Sequence, residues 1–106
     1  QLLRQSSQTP TAVFAGNDLM ALGAMEGIEQ EGFRIPEDIS LIGCDNIPNL
    51  HLLKTPLTTV ANPFSEIGRL AVAKVIGTLT GRDELPNNIM LESDLRIRNS
   101  VKKISD

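Results

Sequence analysis

The chain of 106 residues has no tryptophan, no tyrosine and only three phenylalanines. Without aromatic platforms on which a base or a sugar ring could stack, any ligand has to be gripped mainly by hydrogen bonds. Cysteine is nearly missing as well. Cys44 alone cannot close an internal disulfide, so nothing requires an oxidising compartment and the cytoplasm is the expected location. The single histidine, His51, sits in the apolar stretch His51-Leu52-Leu53 and leaves no metal cluster, so neither a metal nor another cofactor is expected. Positive charge is in deficit: 10 Lys and Arg stand against 13 Asp and Glu, a net charge of -3. Nucleic-acid affinity rests on clustered cations, so this chain alone is not expected to hold DNA. No apolar run approaches the ~18 residues that would span a bilayer, and no membrane partner is expected.

What is present is an ordinary globular balance, 41% hydrophobic and 22% charged, with length for one modest core. The first eight residues, Gln1 to Gln8, have neither an initiator Met nor a signal-peptide layout. They read as the end of a helix in a chain cut from something longer. Thr11 to Ala15 is a short apolar run that suits a buried strand. A helix is expected from Asp18 to Glu31, with Asn17 or Asp18 as its cap and Gly32 as its stop. A second strand spans Ile39 to Gly43, and Asn46 to Lys54 suits a short helix. Leu57 to Ala61 is a third strand. Asn62-Pro63 reads as an N-cap followed by proline at the first helical position, opening a helix that runs to Thr80 and stops at Gly81. Two further extended segments, Asn88 to Glu92 and Leu95 to Arg98, precede a polar end from Asn99 that is expected to fray. Strands separated by helices make the fold class α/β, a mainly parallel sheet with flanking helices.

Each of the three strands ends in short polar residues: Asn17-Asp18, Asp45-Asn46 and Asn62. In an open parallel sheet these carboxyl ends share one edge, where such sheets bind ligands. Asp and Asn together supply the acceptors and donors that grip vicinal hydroxyls. The same residues equally serve as caps and turn formers, and Asp18 in particular reads as the structural cap of its helix. Enzyme chemistry finds no support. Cys44 has no neighbouring histidine and reads as a small buried hydrophobe. Gly16-Asn17-Asp18 lacks the repeated glycines of a phosphate loop, and Glu37-Asp38 reads as an ordinary surface turn.

From Ala12 to Arg98 the chain resembles the C-terminal part of the lactose/galactose-repressor family. The resemblance is carried by Ala-Val-Phe-Ala-Gly-Asn-Asp-Leu-Met-Ala-Leu-Gly-Ala from Ala12, Ile-Pro-Glu-Asp-Ile-Ser-Leu-Ile-Gly from Ile35 and Pro-Leu-Thr-Thr-Val from Pro56. Asp45-Asn46-Ile47 falls on the family's Asp-Asp/Asn motif, and Ile89 to Asn99 resembles its closing strand. The resemblance implies part of a two-lobed fold like that of periplasmic binding proteins. In it, residues 12–61 belong to the C-terminal lobe, 62–87 supply a helix of the N-terminal lobe, and 88–99 return to the first. It makes Asn17 and Asp45 ligands of a small effector, most simply a monosaccharide. Phe64 matches a position that packs against the sugar in some members, Asn62 stands where the family usually has Gln, and Cys44 replaces a usual aromatic residue. The implied protein is a cytoplasmic transcription repressor that meets operator DNA only through an N-terminal headpiece outside this chain. A sugar receptor of a periplasmic transport system is the alternative, since it shares the fold.

Two apolar surfaces remain. On the first long helix Ala21, Ala24, Met25 and Ile28 share the face laid on the sheet, which leaves Leu19 and Leu22 outside it. With His51, Leu52 and Leu53, Leu22 is expected in a homodimer interface, where the resemblance places both segments. On the second helix Phe64, Gly68, Ala71, Val72, Val75 and Leu79 form one stripe, which is expected to pack on another copy or on the chain's own sheet.

Overall fold

A computed structural model describes Leu3 and residues 7–105. The helix end expected over Gln1 to Gln8 therefore lies largely outside the described residues. The chain divides into two compact units, Gln1–Ala61 with Asp94–Asp106, and Asn62–Ser93.

The first unit is a four-stranded sheet in the order β1-β2-β3-β4. β1 (Ala12–Phe14), β2 (Ser40–Asp45) and β3 (Thr58–Ala61) run parallel, and β4 (Asp94–Arg96) closes the sheet antiparallel to β3. The β1 ladder reaches beyond the strand at both ends, with Ser40 N–H donating to Thr11 O and Ala15 N–H to Ile42 O, each at 2.9 Å. β2 runs on past Gly43, where turn residues had suggested its end. Cys44 pairs with Val60 and Asp45 with Ala61, so the ladder continues through both residues.

Helix α1 (Asp18–Gln30) follows β1 and buries Asp18, Ala21, Met25 and Ile28, one face at the helical spacing of three and four. Its apolar members join Ile35, Ile39, Leu41, Leu50 and Leu57 in a core on one side of the sheet. The helix ends as its glycine demands. Gly32 is left-handed at φ 86°, Phe33 N–H donates to Ile28 O and Gly32 N–H to Glu29 O, and Phe33 packs on the core. The expected short helix after β2 is one 3-10 turn, Leu50–Leu52, with Leu50 buried.

The expected frayed end is corrected. Ser100 is fully buried; its hydroxyl donates to Leu41 O at 2.5 Å and accepts from Thr58 N–H at 2.8 Å. Leu41 N–H in turn donates to Ser100 O at 2.8 Å, so the tail is sewn onto β2 and β3.

The second unit is helix α2 (Phe64–Thr80) and the segment after it. Here the sequence reading is corrected twice. Pro63, not Asn62, holds the cap position, and no side chain caps the helix; the Asn62 Oδ1 instead accepts from the Ser93 hydroxyl at 2.7 Å. Asn88 to Glu92 forms no strand. It belongs to a return segment tied to α2 by Lys74, whose ammonium donates to the Asp83 carboxylate, to Leu85 O at 2.9 Å and to Asn87 Oδ1 at 3.0 Å. No residue of α2 is buried. Phe64, Val72, Val75 and Leu79 are 54%, 59%, 57% and 81% exposed.

Candidate functional site

The parallel pairing of β1 with β2 sends both strands out at the same edge of the sheet. Asn17 follows the first and Asp45 ends the second, so both expected ligands stand on that edge, each half-exposed. Asn17 is also the N-cap of α1: its backbone is extended at φ -154°, and its Oδ1 accepts the Met20 N–H at 2.8 Å. The cap uses the amide oxygen and not the amide nitrogen, so the functional and the structural reading of Asn17 are compatible.

Asp18 is not the cap that the sequence suggested. It is fully buried, with Oδ1 accepting from the Thr59 hydroxyl at 2.6 Å and Oδ2 from Ile47 N–H at 2.8 Å. Bonds to an ionised acceptor are stronger than neutral ones, and a carboxylate in the first turn of a helix also meets the positive end of its dipole. Asp18 thus ties the start of α1 to the turn after β2 and to β3. Gly43 permits this, because a Cβ on it would collide with Asp18 Oδ1.

The turn that carries Asp45 is unusual. Asp45 and Asn46 both have positive φ, 122° and 61°. Asn46 N–H donates to Thr59 Oγ1 at 3.4 Å, and Asn46 Oδ1 accepts from Arg98 Nη2 at 2.9 Å. Sequence reasoning missed Arg98 and the tying roles of Asp18 and Asn46. One signal pointed toward Asp18: Thr58-Thr59 lies inside an apolar strand, and a buried hydroxyl needs a polar partner from elsewhere in the core.

Asn62 and Phe64 belong to the second unit, where Phe64 is exposed. Of the residues expected at a dimer contact, His51 and Leu52 are exposed, while Leu22 and Leu53 are half-buried against the core of their own unit. Leu19 and Met20 are exposed beside them, at 69% and 62%. A cavity of about 480 Å³ is lined by Glu29, Phe33, Arg34, Ile35, Glu37 and Lys54. These residues precede β2 and β3, so the cavity lies at the opposite edge from Asn17 and Asp45. Beside it Arg34 pairs with Asp38 at 3.0 Å. The guanidinium hydrogen bonds, and then the Arg34 backbone N–H, hold the Asp38 carboxyl down from 3.8 to about 2. Among the described residues no group of His, Cys, Asp and Glu could hold a metal ion, and no helix is long and apolar enough to cross a membrane.

A mostly parallel sheet with polar residues gathered where its strands end is the architecture of ligand-binding α/β domains. More particularly, residues 1–101 match the periplasmic binding protein-like domain, and the chain belongs to that family. It is 38% identical over 104 residues to the HTH-type transcriptional repressor CytR of Escherichia coli K12, covering 98% of this chain and 30% of that protein. Among solved structures it resembles a LacI family transcriptional regulator from Enterococcus faecium with bound ribose, at a TM-score of 0.84 and 33% identity, over 98% of this chain and 38% of that one. It also resembles the lac repressor dimer bound to operator and the anti-inducer ONPF, at a TM-score of 0.78 and 33% identity, over 86% of this chain and 33% of that one. The chain therefore spans about a third of the proteins it matches, and its counterparts are transcriptional regulators of the lactose-repressor type, as the motifs implied. It corresponds to a part of their effector-binding domain.

Proposed function

We infer that this chain senses a small polyhydroxylated effector, a monosaccharide, for a bacterial transcription repressor, and that Asn17 and Asp45 are the residues that hold it. The observation that carries this is the parallel pairing of β1 with β2, which brings an amide and a carboxylate to one open sheet edge. The Asp45 carboxylate accepts hydroxyl protons, and the Asn17 amide nitrogen, not used in the cap, donates to hydroxyl oxygens. Asn62 and Phe64 are kept as further ligands on the family resemblance alone. The reading assigns no catalysis.

In the same reading the protein works in the cytoplasm as a homodimer through the surface around Leu22 and His51 to Leu53, and meets operator DNA through a helix-turn-helix segment outside this chain. The ribose-bound regulator supports a sugar effector, and the repressor dimer on its operator supports the assembly. Regulatory counterparts favour this over a periplasmic transport receptor.

The test is titration calorimetry of the full-length protein against D-ribose, D-galactose and adenosine, with operator binding followed in parallel. One sugar is expected to bind and to change operator affinity. Asn17→Ala and Asp45→Asn should each weaken it by about tenfold or more, the worth of one charged or well-aligned hydrogen bond. Parent-like affinity in both variants would remove this site, and binding of adenosine alone would remove the sugar.

A further inference from the structure

The turn after β2 is held in a backbone conformation uncommon for residues with side chains, although Asn tolerates it better than most. Asp45 at φ 122° and Asn46 at φ 61° are successive side-chain-bearing residues on the left-handed side of backbone space. Such geometry persists only where the surroundings overdetermine it, and it clusters where function needs it. The surroundings here include three hydrogen bonds from three elements. Asp18 of α1 accepts the Ile47 N–H at 2.8 Å, Thr59 of β3 accepts the Asn46 N–H at 3.4 Å, and Arg98, just after β4, reaches the Asn46 side chain at 2.9 Å.

Arg98 differs from the other two because it braces the turn from a distance of 52 residues along the chain. Its Nη1 donates to Leu57 O at 2.8 Å, and its own backbone N–H donates to Thr58 Oγ1 at 2.9 Å. The guanidinium is therefore anchored at the start of β3 by one nitrogen and lends the other to Asn46. Its planar fork keeps the two directions fixed relative to each other. The oxygen it holds belongs to the residue next to Asp45.

We propose that Arg98 is a positioning residue: it fixes the turn from Asp45 to Ile47 and thereby sets where Asp45 stands at the sheet edge. The role in binding rests on the reading of Asp45 as an effector ligand; the role in holding the turn does not.

The experiment has two arms, both on the full-length protein. In the first, amide hydrogen exchange is followed without ligand in Arg98→Met and Asn46→Gly, the latter removing the acceptor while suiting the left-handed backbone. Exchange of the Ile47 amide should rise by about tenfold or more, the loss of one charged hydrogen bond, while the Leu41 and Ala21 amides keep their protection. Unchanged exchange at Ile47, or a rise of the same size at all three amides, overturns the proposal; should Arg98→Met not fold, Asn46→Gly decides this arm alone. In the second arm D-ribose is the probe. Both variants should weaken binding by about tenfold, and Asn46→Asp, which keeps an acceptor for Arg98, should stay within about twofold of the parent. Loosened exchange with parent-like ribose affinity overturns the positioning of Asp45. Absence of ribose binding in the parent, or binding indifferent to Asp45→Asn, defeats the effector reading instead and leaves the brace to be judged by exchange.

Discussion

Replacing Asp18 removes the knot under the candidate site, and its cost can be worked from the structure. Asp18→Ala deletes two acceptors, one for the Thr59 hydroxyl at 2.6 Å and one for the Ile47 N–H at 2.8 Å. Hydrogen bonds to a charged group contribute about 1.5–3 kcal/mol each, so the gross loss is about 3–6 kcal/mol. Part is returned, because the carboxylate no longer has to be kept out of water. Thr59 gains no substitute partner from solvent, since it is fully buried, whereas Ile47 is half-buried and can be partly rehydrated. The net destabilisation should be about 2–4 kcal/mol. Asp18→Asn should cost less, about 1–2 kcal/mol, because the amide oxygen can serve Ile47 while its nitrogen donates to the Thr59 hydroxyl, which can also accept. With no tryptophan or tyrosine in the chain, urea unfolding is best followed by far-ultraviolet circular dichroism. A cycle with Thr59→Val should show coupling of about 1–2 kcal/mol, since the second change loses less once the acceptor is gone. An alanine variant within about 0.5 kcal/mol of the parent, or additive effects in the cycle, would refute the reasoning.

Gly43→Ala places a methyl group 3.1 Å from Leu57 Cδ2 and 3.3 Å from Ala21 Cβ, in collision with the Asp18 carboxylate; overpacking of this kind should cost about 2–3 kcal/mol in the same assay. Ser100→Ala leaves Leu41 O and Thr58 N–H without their partner in a buried position and should cost about 2–3 kcal/mol, with faster proteolysis beyond Asn99. Asp38, held down from 3.8 to about 2 by Arg34, contributes stability present above about pH 4 and lost as the pH falls toward 2; Asp38→Asn should flatten that stretch of the stability curve, and a carboxyl titration by NMR should give the lowered value directly. Leu52, 72% exposed, is the cleanest probe of the proposed dimer: Leu52→Glu should shift the full-length protein toward monomer in sedimentation without lowering its melting temperature, whereas Leu22, half-buried on the core, would confound the two.

The elements that local pattern determines were legible. The buried face of α1 follows from apolar spacing, its end from Gly32, and the strands from short apolar runs bounded by turn residues, although β1, expected to be buried, leaves Ala12 and Phe14 exposed. What local pattern could not show were groups whose partner lies far along the chain. Ser100 looks like a polar tail residue until Leu41 and Thr58, 59 and 42 residues away, are brought to it. Asp18 reads as a cap because Thr59, 41 residues on, is invisible from its neighbourhood. Asn62-Pro63 reads as a cap and first helical residue, yet the backbone of Pro63 at ψ 64° takes the cap position itself, and Asn62 is spent on Ser93. Asn88 to Glu92 has the composition of a strand, yet it forms none.

The polar strand ends show why a dipeptide was the informative unit. In Asn17-Asp18 and again in Asp45-Asn46, the second residue ties distant parts of the first unit together and the first stands half-exposed at the edge. Asp18 goes to Thr59 and Ile47, and Asn46 goes to Arg98. The order is the same in both pairs although the backbones differ: Asn17 is extended and precedes a helix, whose first residue turns inward, whereas Asp45 ends a strand and Asn46 enters a left-handed turn. In the proposed reading, a chain poor in aromatics relies on accurately fixed hydrogen-bonding groups to set the pose of its effector. In each pair the side chain of the second residue supplies part of that fixing through a distant partner. A single Asn or Asp at each strand end could cap or could bind. Two in succession let one tie the fold while the other faces the edge, which is the ground on which Asn17 and Asp45 are proposed as ligands.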